Sequence, residues 1–286
     1  MIEADIHILH QSEFYRIVNY KCHCNICSLS EPEYNSSFCI SFIRKGFFEY
    51  RVFRSDYEMH VGRILLSKPG YEHRTRHINN HPDITTLFDF KTSFFEEIKQ
   101  QYHSSAGWFL SNNDLHAMMY ATSMETGYLY SHILQQIQSK QLNALYIDEM
   151  VMQLLDQVLR TMNNSKDLPV LEDRFKQLHL GTIEKAIEYL HLHFSENISL
   201  HQLSQYCYVS PFHFSRLFKK VLGIPPHKYL LGIRLQHARF LLTSSSKSIT
   251  DIAFGSGFQS IEHFATRYKQ QFGISPTQQR KQLVSC

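Results

Sequence analysis

The sequence lacks the long apolar runs of membrane proteins and the basic-then-apolar start of exported ones. No apolar run in its 286 residues reaches the roughly 20 residues that a membrane-spanning helix needs. The segment from Met1 to His10 carries Glu3 and Asp5 instead of a basic stretch followed by an apolar core. We therefore expect a cytoplasmic protein. With 43% apolar residues, the chain is long enough to bury the cores of two domains.

Residue patterns that most catalytic sites require are also missing. The sequence has no carboxylate pair at a spacing suited to acid–base chemistry, and no nucleophile accompanied by a partner base. It has no HxH…E…H ligand set of a metal enzyme either. We therefore expect a protein that is not an enzyme.

Charge is unevenly distributed along the chain. From Gly181 onward there are 12 Lys and Arg against 5 Asp and Glu, whereas the preceding part has 17 against 21. The C-terminal part is therefore at +7 and the N-terminal part at −4. A positive domain suits a polyanion, because neutralised phosphates release their counterions and so supply affinity. The imbalance indicates a nucleic-acid partner for the C-terminal part.

The N-terminal half begins with a pattern of short strands. Stretches rich in β-branched and aromatic residues alternate with turns containing Gly and Pro, as is typical of a small β-barrel or sandwich. Segments 39–44, 47–54 and 64–67 show this pattern, and segment 85–90 reads as the last strand. Helices are predicted to follow, the first capped by Ser93.

Three helices are predicted in this half, at residues 93–102, 113–139 and 144–162. Met150, Leu154 and Val158 recur at helical spacing, so one face of the third must be buried, either on the strands or in a dimer. The polar segment 163–169 ends in a proline and is the best linker in the chain. These patterns predict an N-terminal domain at 1–162, a linker at 163–180 and a C-terminal domain at 181–286.

A cluster of cysteines lies among the predicted strands. Cys22, Cys24 and Cys27 have the spacing C-x-C-x2-C, and Cys39 follows. Thiolates at this density bind a soft ion such as zinc or copper(I), or are oxidised by a signal molecule; inert, partly buried thiols are the alternative. We keep the four cysteines as candidate metal ligands.

Histidines also recur at intervals of four in the N-terminal half, at His73, His77 and His81. Gly70 and Pro82 flank them, and the segment has no apolar periodicity, so it reads as strand and loop instead of helix. Solvated or pocket-lining histidines are the default interpretation, with metal ligation as the alternative.

A repeat dominates the C-terminal half. The stretch from Ser210 to Pro226 recurs from Ser260 to Pro276 at a constant offset of 50 residues. Each copy has a Ser suited to cap a helix, apolar residues at helical spacing, a Lys near the end and a Gly to stop the helix. The matching pairs are Ser210/Ser260, His213/His263, Phe214/Phe264, Phe218/Tyr268, Lys219/Lys269, Gly223/Gly273, Ile224/Ile274 and Pro226/Pro276.

Each repeated helix follows a shorter predicted helix and a turn, which is the helix-turn-helix pattern. A helix is predicted to run from Gly181 to about Phe194. Ser199, with Gln202 three residues later, is predicted to cap the first short helix after it, and Ser248 the second. Between the two units a helix from Pro226 to about Leu242 forms a rod of about 27 Å. Phe214, Leu217, Phe218 and Val221 are predicted to face the core, which leaves Phe212, His213, Ser215, Arg216 and Lys219 facing outward.

The segment from Ser199 to Arg280 resembles the DNA-binding domain of AraC-type transcription regulators. The resemblance is carried by Phe214-Ser-Arg-Leu-Phe-Lys-Lys220, Arg234-Leu235, Ile252-Ala253, Gly257-Phe258 and Phe272-Gly-Ile-Ser-Pro276. It implies an α+β protein: an N-terminal cupin-like β-barrel with trailing helices, then an all-α domain with two helix-turn-helix units joined by a linker helix. It also implies that residues 1–162 form a sensor and dimerisation domain and that residues 181–286 form the DNA-binding domain. The whole would be an effector-responsive activator, often a homodimer, that works with RNA polymerase at promoter DNA.

The resemblance places the base-contacting positions on Phe212, Ser215 and Arg216 of the first reading helix. In the second they fall on Ile261, Glu262, Ala265 and Thr266, where a short side chain and an acidic one replace the usual polar or basic residues. The full set of predicted DNA contacts is Phe212, His213, Ser215, Arg216, Lys219, Gln259, Ile261, Glu262, Ala265, Thr266 and Lys269. We expect the first helix to carry most of the specificity.

Two alternatives come from other classes of protein. One is a cupin-type metal-dependent enzyme. The other is a cysteine-based DNA-repair methyl acceptor fused to a DNA-binding domain, which the N-terminal cysteines suggest although their spacing differs. The effector, whether small molecule, metal or oxidant, is not indicated by the sequence.

Overall fold

The computed structural model describes residues 4–23, 29–77, 82–139, 143–162 and 170–284, and the side chains up to residue 282. The chain divides into two compact units, Met1–Glu184 and Lys185–Cys286. The boundary falls inside a single helix, α5 (Asp173–His193). In the described part of the chain, no helix is both long and apolar enough to cross a membrane.

The N-terminal unit is built on two antiparallel sheets. In chain order its strands are β1 (Ala4–Gln11), β2 (Tyr15–Cys22), β3 (Glu33–Tyr34), β4 (Phe38–Lys45), β5 (Phe47–Val52), β6 (Ser55–His60), β7 (Arg63–Ser67), β8 (Glu72–His77), β9 (Ile84–Phe90) and β10 (Ala117–Ala121). One sheet has the order β1-β2-β9-β4-β7-β10, and the other has the order β3-β8-β5-β6.

Strand β4 shows why this part of the sequence is so apolar. Phe38, Ile40 and Phe42 point to one side, into a core that also contains helical residues. The intervening Ser41 and Ile43 point to the other side, toward the second sheet. Because successive side chains of a strand alternate in direction, both sides of β4 are covered and the strand reads as a nearly continuous apolar run.

Four helices cover the outer side of the larger sheet. They are α1 (Thr92–Gln101), α2 (His103–Leu110), α3 (Met124–Gln138) and α4 (Ala144–Thr161). The buried face of α4 includes Met150, Leu154 and Val158 and lies in the same core cluster as the strands. This agrees with the prediction that the periodic face packs on the sheet; a role in a dimer stays a prediction.

Three predictions for this unit were wrong. Segment 85–90 is not the last strand, because β10 follows and pairs with β7, with Ala117 opposite Ser67. The predicted helix at 113–139 therefore begins only at Met124, after Ser123, whose side chain accepts a hydrogen bond from the Thr126 N–H. Residues 117–121 are apolar enough for either structure, and pairing with an edge strand decided the outcome. The cap was also misplaced: Lys91, not Ser93, precedes α1.

The C-terminal unit contains the end of α5 and six further helices in its described residues. These are α6 (Leu200–Tyr206), α7 (Pro211–Leu222), α8 (Pro226–Ser244), α9 (Ile249–Gly255), α10 (Ile261–Phe272) and α11 (Pro276–Val284). The capping box of Ser199 and Gln202 is present, and Ser248 caps α9 as predicted.

The prediction that a helix starts at Gly181 was wrong, since α5 begins at Asp173. Gly181 lies inside the helix and is exposed, and a Cβ added there would meet nothing within 4 Å. Glycine there lowers helix propensity without breaking the hydrogen-bond ladder. Residues 163–169 of the predicted linker lie outside the described residues.

Candidate nucleic-acid interface

Helices α7 and α10 begin and end in the same way. The Ser210 side chain accepts a hydrogen bond from the N–H of His213, and the Ser260 side chain accepts one from the N–H of His263. Each helix ends at a left-handed glycine, Gly223 with φ 75° and Gly273 with φ 79°. These two caps and two stops agree with the boundaries predicted from the repeat.

The turns in front of the two helices differ by one residue. In the first turn the N–H of Tyr208 donates to the carbonyl of Gln205; in the second the N–H of Gly257 donates to Phe254. These pairs are offset by 49 residues, whereas the reading helices are offset by 50. The additional residue is Gln259, which is exposed immediately before the second reading helix.

Both turns contain a residue in the left-handed region. Tyr208 has φ 57° and is 87% exposed. Its counterpart Gly257 has φ 85°, and a Cβ there would lie 2.9 Å from the carbonyl oxygens of Phe194 and Ser195. The second turn therefore requires glycine for two reasons, backbone conformation and space, while the first accommodates a tyrosine at the cost of some strain.

The buried sides of the two helices follow one pattern. Phe214 and Phe264 are each fully buried, as are Phe218 and Tyr268. The Tyr268 hydroxyl donates to Gln279 Oε1 at 3.3 Å, which gives this extra polar atom a partner inside the second unit. The apolar sides thus fix the rotation of each helix and determine which residues point outward.

On α7 the structure exposes the residues that the sequence predicted. Phe212, His213, Arg216 and Lys219 are exposed, and Ser215 is half-buried. The Arg216 guanidinium carbon lies 5.7 Å from the centre of the Phe212 ring, within the range of a cation–π contact. This contact holds a flexible cation beside a large apolar ring on one exposed face.

On α10 the predicted contact positions are also accessible. Ile261, Glu262, Thr266 and Lys269 are exposed, and Ala265 is half-buried. Thr266 occupies the position of Arg216, and Glu262 that of Phe212, at the offset of 50 residues. The exposed surface of α10 therefore offers fewer donors at the predicted positions than that of α7.

Arg267 is a cation on α10 that the sequence prediction missed. Its Nε donates to His263 Nε2 at 3.3 Å, and its guanidinium also contacts Gln270 Oε1 at 3.2 Å. The repeat places it opposite Leu217, which is buried, so the pattern suggested an inward position. Only the structure shows that Arg267 is exposed.

A cavity of about 360 Å³ inside the C-terminal unit is lined by residues of both reading helices, including Ser215, His263 and Arg267. Arg234 of α8 also lines it and is fixed by two carbonyl oxygens, Phe194 at 2.7 Å and Glu196 at 2.6 Å. Burial lowers the pKa of this arginine. Arg234, one of the motif residues, therefore holds α8 against the end of α5 instead of pointing outward.

The predicted cysteine cluster is only partly within the described residues. Cys24 and Cys27 lie outside them. Cys22 ends β2 and Cys39 lies in β4, both buried. Cys39 of β4 lies opposite Asp89 of β9, and Asp89 lies opposite Arg16 of β2. Cys22 is six residues from Arg16 along β2, about 20 Å in an extended strand, so Cys22 and Cys39 are far apart. Burial raises the pKa of the Cys39 thiol to about 12, which keeps it protonated.

Two of the three spaced histidines lie in β8, in agreement with the strand interpretation, and His81 lies outside the described residues. His73 and His77 both line a cavity of about 230 Å³ between the two sheets. The ring of His73 stacks on Tyr50 at 4.8 Å, and burial lowers its pKa. His77 contacts a different group of residues, Cys22 and Asp83.

Comparison with known proteins supports the prediction that the C-terminal unit contains a helix-turn-helix domain. A helix-turn-helix domain family matches residues 203–282. An uncharacterized HTH-type transcriptional regulator of Staphylococcus aureus (strain COL) is 31% identical over 150 residues, which are 52% of this chain and 19% of the relative. The regulatory protein PocR of Salmonella typhimurium is 33% identical over 105 residues, 37% of this chain and 35% of PocR.

This chain thus spans only a fifth to about a third of these curated relatives. Among solved structures, an AraC-type DNA-binding domain-containing transcriptional regulator from Chromobacterium violaceum is 37% identical, covering 36% of this chain and 92% of that chain, with a TM-score of 0.34. The family match identifies residues 203–282 as a helix-turn-helix domain.

Proposed function

We propose that this protein is a sequence-specific DNA-binding regulator of transcription whose helices α7 and α10 enter adjacent major grooves of promoter DNA. The observation that carries the proposal is the pair of similarly capped helices, each exposing the same register of side chains, within a unit that belongs to a helix-turn-helix family. The charge of +7 from residue 181 onward supplies the sequence-independent part of the affinity.

Helix α7 carries most of the sequence readout in this proposal. Arg216 donates two hydrogen bonds to O6 and N7 of a guanine, and Phe212 packs on a thymine methyl group. Ser215 bonds a base or a phosphate, and Lys219, in the last turn, meets a phosphate. His213 lies on the same exposed surface and adds a further donor.

Helix α10 contributes mainly to positioning. Lys269 meets phosphate, Gln259 lies just before the helix, and Thr266 and Ala265 are too short to match an arginine in reach. Ile261 offers apolar contact only. Glu262 accepts a hydrogen bond from a cytosine N4 amino group but repels phosphate.

The linker helix α8 has a length that suits two readers. Its 19 residues extend about 28 Å, and successive major-groove faces of B-DNA are about 34 Å apart. The reading helices add their own width to this separation. The length is therefore compatible with simultaneous insertion on one face of the duplex.

The N-terminal unit is proposed to be a cupin-like sensor. Its cavity of about 230 Å³ is lined by tyrosine, histidine and hydroxyl side chains from both sheets, which suits a small effector with polar groups. We propose that the effector changes the promoter occupancy of a homodimer, that its helices form the dimer contact, and that the bound protein activates RNA polymerase.

The proposal is tested by titrating a labelled duplex, selected from a random pool with the purified chain, with the variants Arg216→Ala and Thr266→Ala. We expect the arginine variant to bind about 5- to 150-fold more weakly, since a bidentate contact contributes about 1–3 kcal/mol. The threonine variant should bind within about threefold of the parent chain, as expected for a side chain without a strong base contact.

Lys228→Ala is the control for lost charge, because Lys228 is an exposed cation on α8. It should weaken selected and scrambled duplexes alike, whereas Arg216→Ala should weaken the selected duplex more. Equal losses for Arg216→Ala and Thr266→Ala would refute the assignment of the readout to α7. Absence of any preferred duplex would refute the function itself.

A further inference from the structure

Three potential metal ligands meet at one end of the cavity between the two sheets. Cys22 ends β2, His77 ends β8, and Asp83 lies just before β9. One ligand atom from each residue lies within 4.8 Å of the other two. All three residues line the cavity of the N-terminal unit, and none belongs to the helix-turn-helix domain.

The three side chains are held by specific hydrogen bonds. His77 Nδ1 lies 3.9 Å from Cys22 Sγ, and His77 Nε2 is bonded to Asp83 Oδ1. The second oxygen of Asp83 accepts a hydrogen bond from Thr85 at 2.6 Å. Backbone pairing adds a further restraint, because the N–H of Cys22 donates to the carbonyl of Asp83 at 3.0 Å. The group is therefore pre-positioned.

We propose that Cys22, His77 and Asp83 form a binding site for Zn²⁺. Thiolate, imidazole and carboxylate are the ligands that zinc takes, at about 2.0–2.3 Å from the ion. Ligand atoms within 4.8 Å of one another need to move by less than about 1 Å each to reach those distances. Cys22 and Asp83 are buried, so water competes little for the ion.

Both ring nitrogens of His77 already face a partner, which suits a metal-bound histidine. A carboxylate on one nitrogen fixes the tautomer and makes the other nitrogen a better ligand. When the ion enters, Cys22, His77 and Asp83 each supply one ligand atom. One position then remains for a further ligand, as in sites that exchange a bound molecule.

The site has a structural consequence for the cavity. Strand β2 and the segment before β9 belong to the larger sheet, whereas β8 belongs to the smaller one. An ion bound to Cys22, Asp83 and His77 therefore cross-links the two sheets at the wall of the cavity. Metal binding should stabilise this unit against unfolding, because only the folded chain brings the three ligands together.

This site differs from the cysteine cluster that the sequence suggested. Cys22 is common to both, but the sequence hypothesis adds Cys24, Cys27 and Cys39. Cys39 is well removed along the sheet and contacts Ser37 and Asp89 instead. The two hypotheses are therefore separable by substitution.

The test uses the full chain, stripped of metal with a chelator and titrated with Co²⁺ as a spectroscopic substitute for Zn²⁺. We expect one equivalent to bind, with an absorption band for charge transfer from sulfur to cobalt and visible bands typical of four-coordination. Zn²⁺ should displace the cobalt. The Cys22→Ser variant should lose the charge-transfer band, and His77→Gln and Asp83→Asn should each weaken Zn²⁺ binding about 10- to 100-fold.

The controls are His73→Gln and Cys39→Ser, which alter a second cavity-lining histidine and a second buried thiol and should bind Zn²⁺ like the parent chain. Circular dichroism of the metal-free variants establishes that each is folded. Less than a tenth of an equivalent of bound metal overturns the proposal. So does binding that needs Cys24 and Cys27 but survives His77→Gln and Asp83→Asn, since it places the ion elsewhere.

DNA binding by the C-terminal unit gives an independent measurement. The affinity of the metal-free chain for its selected duplex tests the proposed function without involving the site. Stoichiometric metal binding in a chain that does not bind a preferred duplex would support the site and reject the proposed function. DNA binding without metal binding would reject only the site.

Discussion

The two reading helices, α7 and α10, are alike in their caps and in part of their buried side, but they differ in their exposed residues. Two buried aromatic positions match, since Phe264 corresponds to Phe214 and Tyr268 to Phe218, whereas the buried Leu217 corresponds to the exposed Arg267. Among the exposed residues, Arg216 of α7 corresponds to Thr266 of α10. Packing constrains an inward residue from all sides, while an outward residue contacts only water or a ligand. The difference shows that the repeat preserves orientation and leaves recognition to vary.

The turns extend this comparison to the backbone. The first carries Tyr208 in a strained left-handed conformation with its ring in solvent, and the second carries Gly257 against two carbonyl oxygens. The second turn is also longer by Gln259. The two helix-turn-helix units thus differ in how tightly their turns are packed as well as in their exposed residues.

The largest expected effect breaks the shared core. Phe214→Ala and Phe264→Ala should each lower the free energy of unfolding by about 3–5 kcal/mol, because each removes a fully buried ring and leaves a cavity. Hydrogen exchange measured by mass spectrometry on peptides of α7 and α10 reports the stability of each helix-turn-helix unit separately. Each variant should accelerate exchange mainly in its own helix; equal acceleration in both would show that the units unfold together.

The next effect tests the difference in turn packing. Gly257→Ala should cost about 2–4 kcal/mol, since the added methyl group meets backbone oxygens as well as an unfavourable φ. Gly273→Ala is the matched control: its φ is 79°, but nothing lies within 4 Å, so about 1–2 kcal/mol is expected. Urea unfolding of both variants measures the contrast, and equal costs would mean that crowding at Gly257 is relieved by a small shift.

A smaller expected effect is a loss of folding stability at acidic pH. His191 is buried in the C-terminal unit, where it contacts the Tyr229 hydroxyl at 3.1 Å, and burial lowers its pKa to about 4. Because the unfolded chain takes up the proton at a higher pH, stability is complete above about pH 6.5 and is lost as the pH falls toward 4. Between about pH 7 and pH 5 the loss should be on the order of 2 kcal/mol.

His191→Gln should remove this part of the pH dependence, as measured by urea unfolding at both pH values. The ring signals of His191 in a magnetic-resonance titration provide the direct check. A ring that titrates near its ordinary value in the folded chain would contradict the prediction.

The smallest effect concerns the outward surface of α10. Glu262→Gln should strengthen DNA binding by about two- to fivefold at low salt, because it removes an exposed negative charge that would lie near the phosphates in the proposed complex. The gain should shrink as salt is added. If the variant instead binds more weakly and loses preference at a cytosine, Glu262 reads that base, and α10 contributes more specificity than proposed above.

Local signals were enough to predict much of the C-terminal unit. The caps at Ser199, Ser210, Ser248 and Ser260 are where the sequence placed them, because a hydroxyl beside a helix start satisfies free backbone N–H groups whatever surrounds it. The sequence pattern likewise predicted that Phe212, His213, Arg216 and Lys219 of α7 face outward.

Non-local pairing accounts for most of the failures. Segment 117–121 is a strand because it pairs with the edge of β7, and no local sequence pattern indicates that this edge is available. Arg267 is exposed although the repeat aligns it with a buried leucine. The start of α5 was missed because Gly181 suggested a boundary that a long helix can cross.

The sequence by itself determined the two capped helices, their spacing and the sign of the charge around them, since capping, periodicity and net charge depend on residues close together along the chain. Only the tertiary structure brought Cys22 next to His77 and Asp83, more than fifty positions away. Strand register decides such encounters, and register is set by the packing of whole sheets, not by any short stretch of residues.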